Sequence, residues 1–231
     1  MTKERRRKQL MRRAILSLSC AVIGIVVFIL LGDKILDLGR NAQEVYSQIG
    51  EGDTYTSDWK GAPQIDVQLL DVNEYSRPGS LLEKVNGIVI HYIGNPATSA
   101  QANRDYFNAL KDAHTTKASS HFIVGLEGEI IQCVPTSEIS YASNERNKDT
   151  IAIECCHPDE SGQFNQSTYQ SMVDLTGWLC LRYGLSSQEV IRHHDVTGKI
   201  CPKYFVENEE AWENFKQDVG EKIIELKNSV E

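Results

Sequence analysis

The chain has 231 residues, 41% hydrophobic and 24% charged, the balance of a globular protein rather than a disordered one. Its 16 glycines and 6 prolines leave no room for a collagen-like or proline-rich repeat. A net charge of −8 excludes a sequence-independent nucleic-acid binder, which needs cations to neutralise phosphates.

The charge is unevenly placed. Residues 1–13 hold Lys3, Arg5, Arg6, Arg7, Lys8, Arg12 and Arg13 against the single acid Glu4. They carry +6, and the remainder −14. Residues 14–31 (AILSLSCAVIGIVVFILL) contain no charge. A spanning helix needs about 20 mostly apolar residues, and basic residues flanking it stay in the cytoplasm. We therefore read 1–13 as a cytoplasmic tail, 14–32 as a transmembrane anchor, and the rest as lying outside the cell membrane. A cleaved signal peptide would have a shorter apolar run and a small-residue cleavage site, and none is evident in Leu31-Gly-Asp-Lys-Ile35. A lipid anchor on Cys20 is weaker still, since Ser17-Leu-Ser19 precedes it. A buried soluble helix does not suit the basic cluster just upstream.

Residues 33–63 form a linker. Asp33–Ile49 could be a polar helix, and 50–63 (GEGDTYTSDWKGAP) is rich in turn formers. From Gln64 the pattern becomes an alternating α/β domain, 64–228, with one mixed sheet flanked by helices. Gly87–Tyr92 is a buried strand. Ser99–Lys111 is a helix whose apolar face is Ala102, Tyr106, Phe107 and Leu110. His121–Val124 and Glu129–Val134 flank Gly125–Gly128 as a hairpin. Thr150–Cys156 is a strand, Ser167–Tyr183 a helix capped by Ser167 and stopped by Gly184, and Val190–Arg192 a short strand. Residues 193–202 read as a loop, and Asn208–Lys227 as a closing helix capped by Asn208. That makes about five strands and three helices, long enough for one core.

Six histidines are present. His91 ends a strand. His193, His194 and Cys201 lie close together in Arg192-His-His-Asp-Val-Thr-Gly-Lys-Ile-Cys-Pro202. Zinc takes imidazole nitrogen and thiolate sulfur, and a catalytic zinc uses three protein ligands. His91, one member of the His193–His194 pair and Cys201 would supply them. Adjacent residues of an extended segment point to opposite sides, so only one of the pair should face the metal. A strand-end histidine can equally be a hydrogen-bonded structural residue.

These segments resemble the zinc-dependent N-acetylmuramoyl-L-alanine amidases, the family that includes amidase-type phage lysozymes and the peptidoglycan recognition proteins. The matching pieces are Gly87-Ile-Val-Ile-His91-Tyr, Ala118-Ser-Ser-His121-Phe-Ile-Val, Thr150-Ile-Ala-Ile-Glu154 and Arg192–Pro202, in family order. The resemblance implies Zn2+ as cofactor, with His91, His193 and Cys201 as ligands. It implies Glu154 as the carboxylate beside the activated water and Lys199 as the cation that stabilises the oxyanion. It implies peptidoglycan as substrate, cut between N-acetylmuramic acid and L-alanine. With the anchor, the expected protein is a membrane-held hydrolase facing the cell wall. One position departs from the pattern: several branches place a tyrosine before the His-Phe pair, where this chain has Ser120.

Milder readings apply elsewhere. Glu154 shares its strand face with the small residues Ala152 and Cys156, which leaves room for a pocket. His121 is structural or orients a ligand, and His194 faces away from the metal. Asp195 supports a ligand or makes a turn. His114 and His157 are surface residues. Cys133, Cys155, Cys156 and Cys180 are buried, inert thiols. Tyr106, Phe107, Trp178, Trp212 and Phe215 are core rather than sugar platforms. Three rival functions remain: a recognition module that binds peptidoglycan without cutting it, a cysteine hydrolase with Cys201 as nucleophile and His193 as base, and a phage endolysin on a releasable anchor.

Overall fold

The computed structural model describes residues 60–230. The tail, the transmembrane anchor and most of the linker expected from the sequence lie outside the described residues. Among the described residues, no helix is long and apolar enough to cross a membrane.

Six strands form one mixed sheet: β1 (Asp66–Val67), β2 (Ile88–Tyr92), β3 (Phe122–Val124), β4 (Ile130–Gln132), β5 (Ile151–Cys155) and β6 (Val190–Arg192). Their spatial order is β1-β4-β3-β5-β2-β6. Only β3 and β4, joined by the expected hairpin, run antiparallel. The other neighbours are parallel, which requires crossover connections. The helices are α1 (Ala100–Ala113), α2 (Gln166–Tyr183), α3 (His193–Thr197), α4 (Lys203–Glu207) and α5 (Glu209–Val230).

The two faces of the sheet carry different cores. Ile88, Ile90, Ile151, Ile153 and Cys155 point to one side, where they meet Met172, Leu175 and Leu179 of α2 and Phe215, Val219 and Ile223 of α5. The α5 residues recur every three or four positions, one stripe of a helix. On the other side Ile123, Ile131 and Cys133 pack against Phe107 and Leu110 of α1. Because successive strand residues alternate, His91 and Glu154 belong to this second face. Parallel pairing sets them directly opposite one another, His91 against Glu154. Thus one sheet face is covered by α2 and α5, and the other, only partly covered by α1, bears the polar residues.

Several expectations need correction. The buried face of α1 is Ala100, Asn103, Phe107 and Leu110. Ala102 is exposed, and so is Tyr106, at 51%. Asn103 can occupy the buried stripe because its amide donates to Thr98 Oγ1 at 2.9 Å and to the Ser99 carbonyl at 2.8 Å. The cap of α2 is Asn165, whose Oδ1 accepts from the Thr168 N–H at 2.9 Å, two residues before the serine expected there. Residues 193–197 are helical rather than loop. Asn208 turns its side chain back to the Tyr204 carbonyl of α4, not forward onto α5. The short elements β1 and α4 were not anticipated. All five cysteines among the described residues are free and buried, as expected for Cys133, Cys155, Cys156 and Cys180.

Candidate active site

His91 is the last residue but one of β2, and its parallel neighbour β6 runs directly into α3, which opens with His193. The Asp195 carboxylate starts that helix. It accepts the backbone N–H of Arg192 at 2.8 Å and pairs with the Arg192 guanidinium at 2.9 Å. The same guanidinium donates to the Phe205 carbonyl and Glu209 and lies 5.3 Å over the Trp212 ring, which ties α3 to α4 and α5. Gly198 stops α3 in the left-handed region, φ 77°, and the chain doubles back to Cys201. The Cys201 carbonyl then accepts the His194 N–H at 2.9 Å, a donor that the first turn of a helix otherwise leaves unpaired.

This return brings the three expected ligands together. His91, His193 and Cys201 are buried, and one ligand atom from each lies within 4.8 Å of the others. Cys201 Sγ is 3.9 Å from His91 Nδ1, and the two imidazole centroids are 4.7 Å apart. Burial first, then the charges of His193 and Lys199, hold His91 well below the usual imidazole range. His193 is lowered by burial and by Lys199. Both rings therefore stay neutral, with a nitrogen lone pair free to ligate. Burial, reinforced by Glu154, pushes the Cys201 thiol up to about 12, so a cation must displace its proton on binding. Two imidazoles and one thiol are a donor set that fits a divalent ion of borderline softness.

A family model described as N-acetylmuramoyl-L-alanine amidase matches residues 81–204, more than half of the chain and all three of these residues. The chain belongs to the N-acetylmuramoyl-L-alanine amidase family. It is 37% identical over 161 residues to the N-acetylmuramoyl-L-alanine amidase CwlL of Bacillus licheniformis, covering 64% of this chain and 44% of the relative. It is 30% identical over 175 residues to the amidase BlyA of Bacillus subtilis (strain 168), covering 67% and 46%. The chain thus spans somewhat under half the length of these curated relatives. The fold is similar to the catalytic domain of XlyA, with TM-score 0.58 and 24% identity over 68% of this chain and 100% of that one. It is also similar to PlyL, with TM-score 0.60 and 22% identity over 69% and 99%.

Within this amidase fold, Glu154 stands beside the ligands. Its Oε1 is 4.0 Å from His91 Nδ1. Its Oε2 is buried with no hydrogen-bond partner among the described residues. Burial raises the carboxyl to about 8, against the lowering influence of Lys199. Lys199 itself is exposed, and its charge is felt by His91, His193, Cys201 and Glu154 alike. A groove of about 360 Å³ opens at Glu154, lined among others by Asn95, Thr98, Asn103, Tyr106 and Phe107. Of the five residues picked out in the sequence, His91, His193, Cys201 and Glu154 are therefore neighbours, and the Lys199 charge reaches all four.

The remaining polar residues sort differently. His194 bonds the Lys199 carbonyl at 3.0 Å and takes no part in the cluster. His121 is fully buried. Its Nδ1 accepts the Ala152 N–H at 3.0 Å, so its Nε2 carries the proton donated to the Glu138 carbonyl at 2.9 Å. It braces the β4–β5 connection and touches no ligand. Ser120 is buried and donates to the Phe122 carbonyl at 2.8 Å, so its hydroxyl is spent within its own segment. His157 is not a surface residue: it is 2% exposed, with its ring nitrogens against the Ile93 and Asp159 carbonyls, each at 2.7 Å. Sequence reasoning missed Ser143 and Asn144, which meet the outer nitrogens of the two ligand rings, each at 3.0 Å. Nothing in their spacing marks them.

Proposed function

We propose that the protein hydrolyses the amide bond between N-acetylmuramic acid and L-alanine in peptidoglycan, with zinc held by His91, His193 and Cys201. The observation that carries this reading is Glu154. A carboxylate with an unpaired buried oxygen, set by strand register beside a ligand histidine, is placed to take and return a proton. Zinc in this ligand set supplies a Lewis acid that polarises a carbonyl and acidifies water. Glu154 accepts the proton of the attacking water and delivers it to the departing amine of L-alanine. The Lys199 ammonium offsets negative charge that develops on the scissile carbonyl oxygen. The groove beside Glu154 holds the stem peptide, with Tyr106 on its rim.

The apolar stretch 14–31 and the basic residues before it support a single-pass anchor, with the catalytic domain outside the membrane and facing the wall. Such an anchor would restrict cutting to wall close to the membrane. A cysteine nucleophile fits less well, because a thiol pushed up to about 12 is scarcely ionised at neutral pH. A recognition module that binds without cutting is the second reading, favoured by the buried, self-satisfied Ser120.

The test is to incubate the purified chain with intact peptidoglycan and identify released products by mass spectrometry, with and without a zinc chelator. Stem peptides beginning at L-alanine, lost with chelator and restored by zinc, are expected. Retention on peptidoglycan with no release would favour the recognition module. Release that ignores the chelator would revive the thiol nucleophile.

A further inference from the structure

We propose that Ser143 and Asn144 form a single clasp that fixes the tautomer and pose of both histidine ligands, making them positioning residues for the metal centre. The inference rests on the reading of His91, His193 and Cys201 as metal ligands.

The two histidines come from different elements, His91 from β2 and His193 from α3. Their outer nitrogens nevertheless meet consecutive residues of one loop. His91 Nε2 lies 3.0 Å from Ser143 Oγ, and His193 Nε2 lies 3.0 Å from Asn144 Oδ1. An amide oxygen only accepts. With Oδ1 facing the ring, the His193 proton sits on Nε2 and the lone pair on Nδ1. For His91, Nδ1 is already the nitrogen near Cys201 Sγ, at 3.9 Å, so Nε2 carries the proton and the Ser143 hydroxyl accepts it. His91 therefore offers Nδ1 inward, and the lone pair of His193 that is left for an ion is the one on Nδ1. The opposite amide orientation would put the His193 proton on Nδ1 and leave no lone pair for an ion.

The loop is built to hold this pose. Asn144 adopts φ 52°, a left-handed conformation that asparagine tolerates better than most residues. The Asn147 carboxamide oxygen accepts both the Ala142 N–H, at 3.0 Å, and the Ser143 N–H, at 2.6 Å. Upstream, Tyr141 and Ser119 are joined in both directions: the Ser119 N–H donates to the Tyr141 carbonyl, and the Tyr141 N–H donates to Ser119 Oγ. Two neighbouring side chains on one braced turn thus bear on the pose of two ligands that come from separate elements.

The experiment measures zinc affinity of the full chain in detergent by chelator competition. The cobalt ligand-field spectrum and the thermal midpoint of the metal-free protein are recorded alongside. Ser143→Ala removes one acceptor. Asn144→Gly removes the other while keeping the backbone conformation, and Asn144→Asp restores an oxygen acceptor. Loss of such a partner weakens metal binding about 10- to 100-fold. We expect that loss in Ser143→Ala and Asn144→Gly, with an altered cobalt spectrum and a fall in affinity larger than any fall in the metal-free midpoint accounts for, and recovery of most of the affinity in Asn144→Asp. Wild-type binding with unaltered affinity in the first two variants overturns the clasp alone. So does a loss that merely follows a lowered metal-free midpoint, or an Asn144→Asp variant as weak as Asn144→Gly. No binding by the wild type overturns the ligand assignment and the clasp together.

Discussion

Glu154 occupies a place where an ionised carboxylate is unfavourable. In the metal-free fold its pKa is about 8, against an ordinary 4.5, so folding favours the protonated form. The stability this costs is absent below pH 4.5, grows as pH rises, and is complete above pH 8. Glu154→Gln should therefore raise the thermal midpoint of the metal-free protein at pH 8 but hardly at pH 5, while activity falls by about 10²- to 10⁴-fold. An equal change in midpoint at both values would contradict the account. His121 works in the other direction along the pH axis. Burial holds it at about 4, below the ordinary 6.5. The unfolded chain takes up a proton first as pH falls, so stability declines from pH 6.5 towards 4, by about 3 kcal/mol at the end of that window. Replacing it in His121→Asn should flatten that slope, as measured by denaturant unfolding of the metal-free protein at pH 7 and pH 5. The site was legible where chemistry is local to a motif. His91 ends a recognisable strand, Glu154 shares a face with small residues, and the His193–Cys201 segment is distinctive. Ser143 and Asn144 were not legible, because their partners lie 52 and 49 residues away and no periodicity predicts where a connecting loop crosses a sheet.

Among the elements, α3 was the hardest to read and is the one that shapes the site. Five residues are too few for a helical period, and the turn formers Gly198 and Pro202 around it look like loop. Its actual determinants are the Asp195 cap and the left-handed Gly198. A Cβ at Gly198 would meet no atom within 4 Å, so any penalty there is purely conformational. Gly198→Ala should cost about 1–2 kcal/mol and lower the melting midpoint by about 2–8 °C. Gly198→Asn should cost less, since asparagine accepts the left-handed region. Equal midpoints for alanine and glycine would show that α3 ends by some other means. The long strands β2 and β5 and the hairpin were readable, being apolar runs bounded by turn residues. The α1 face was misplaced because counting apolar residues could not reveal that Asn103 satisfies its own amide. Strand β1 has two residues, both exposed, and is placed by pairing with β4 rather than by burial.

At the scale of the whole molecule, the charge separation makes a separate forecast. The +6 tail and the uncharged run behind it should hold the full chain in the membrane fraction. Carbonate or high salt should leave it there and detergent should release it. Deleting residues 1–32 should move the protein to the soluble fraction. Release by salt alone would reduce the tail to an electrostatic contact, and an intact-mass measurement showing loss of the first 30 or so residues would mean a cleaved leader.

His91 and Cys201 are 110 residues apart in sequence, yet they meet across the end of a sheet whose central pairings are parallel and long-range. Their meeting depends on β2 lying beside β6 and on the chain turning back after α3. With the ligands proposed, ion capture would follow sheet closure, and a polypeptide truncated before Cys201 would lack a ligand. In the orientation proposed, a chain that crosses the membrane unfolded would do so before its sheet closes. A chain delivered that way would arrive without metal, would draw zinc from the wall side, and would cut only in the compartment where the proposed substrate lies.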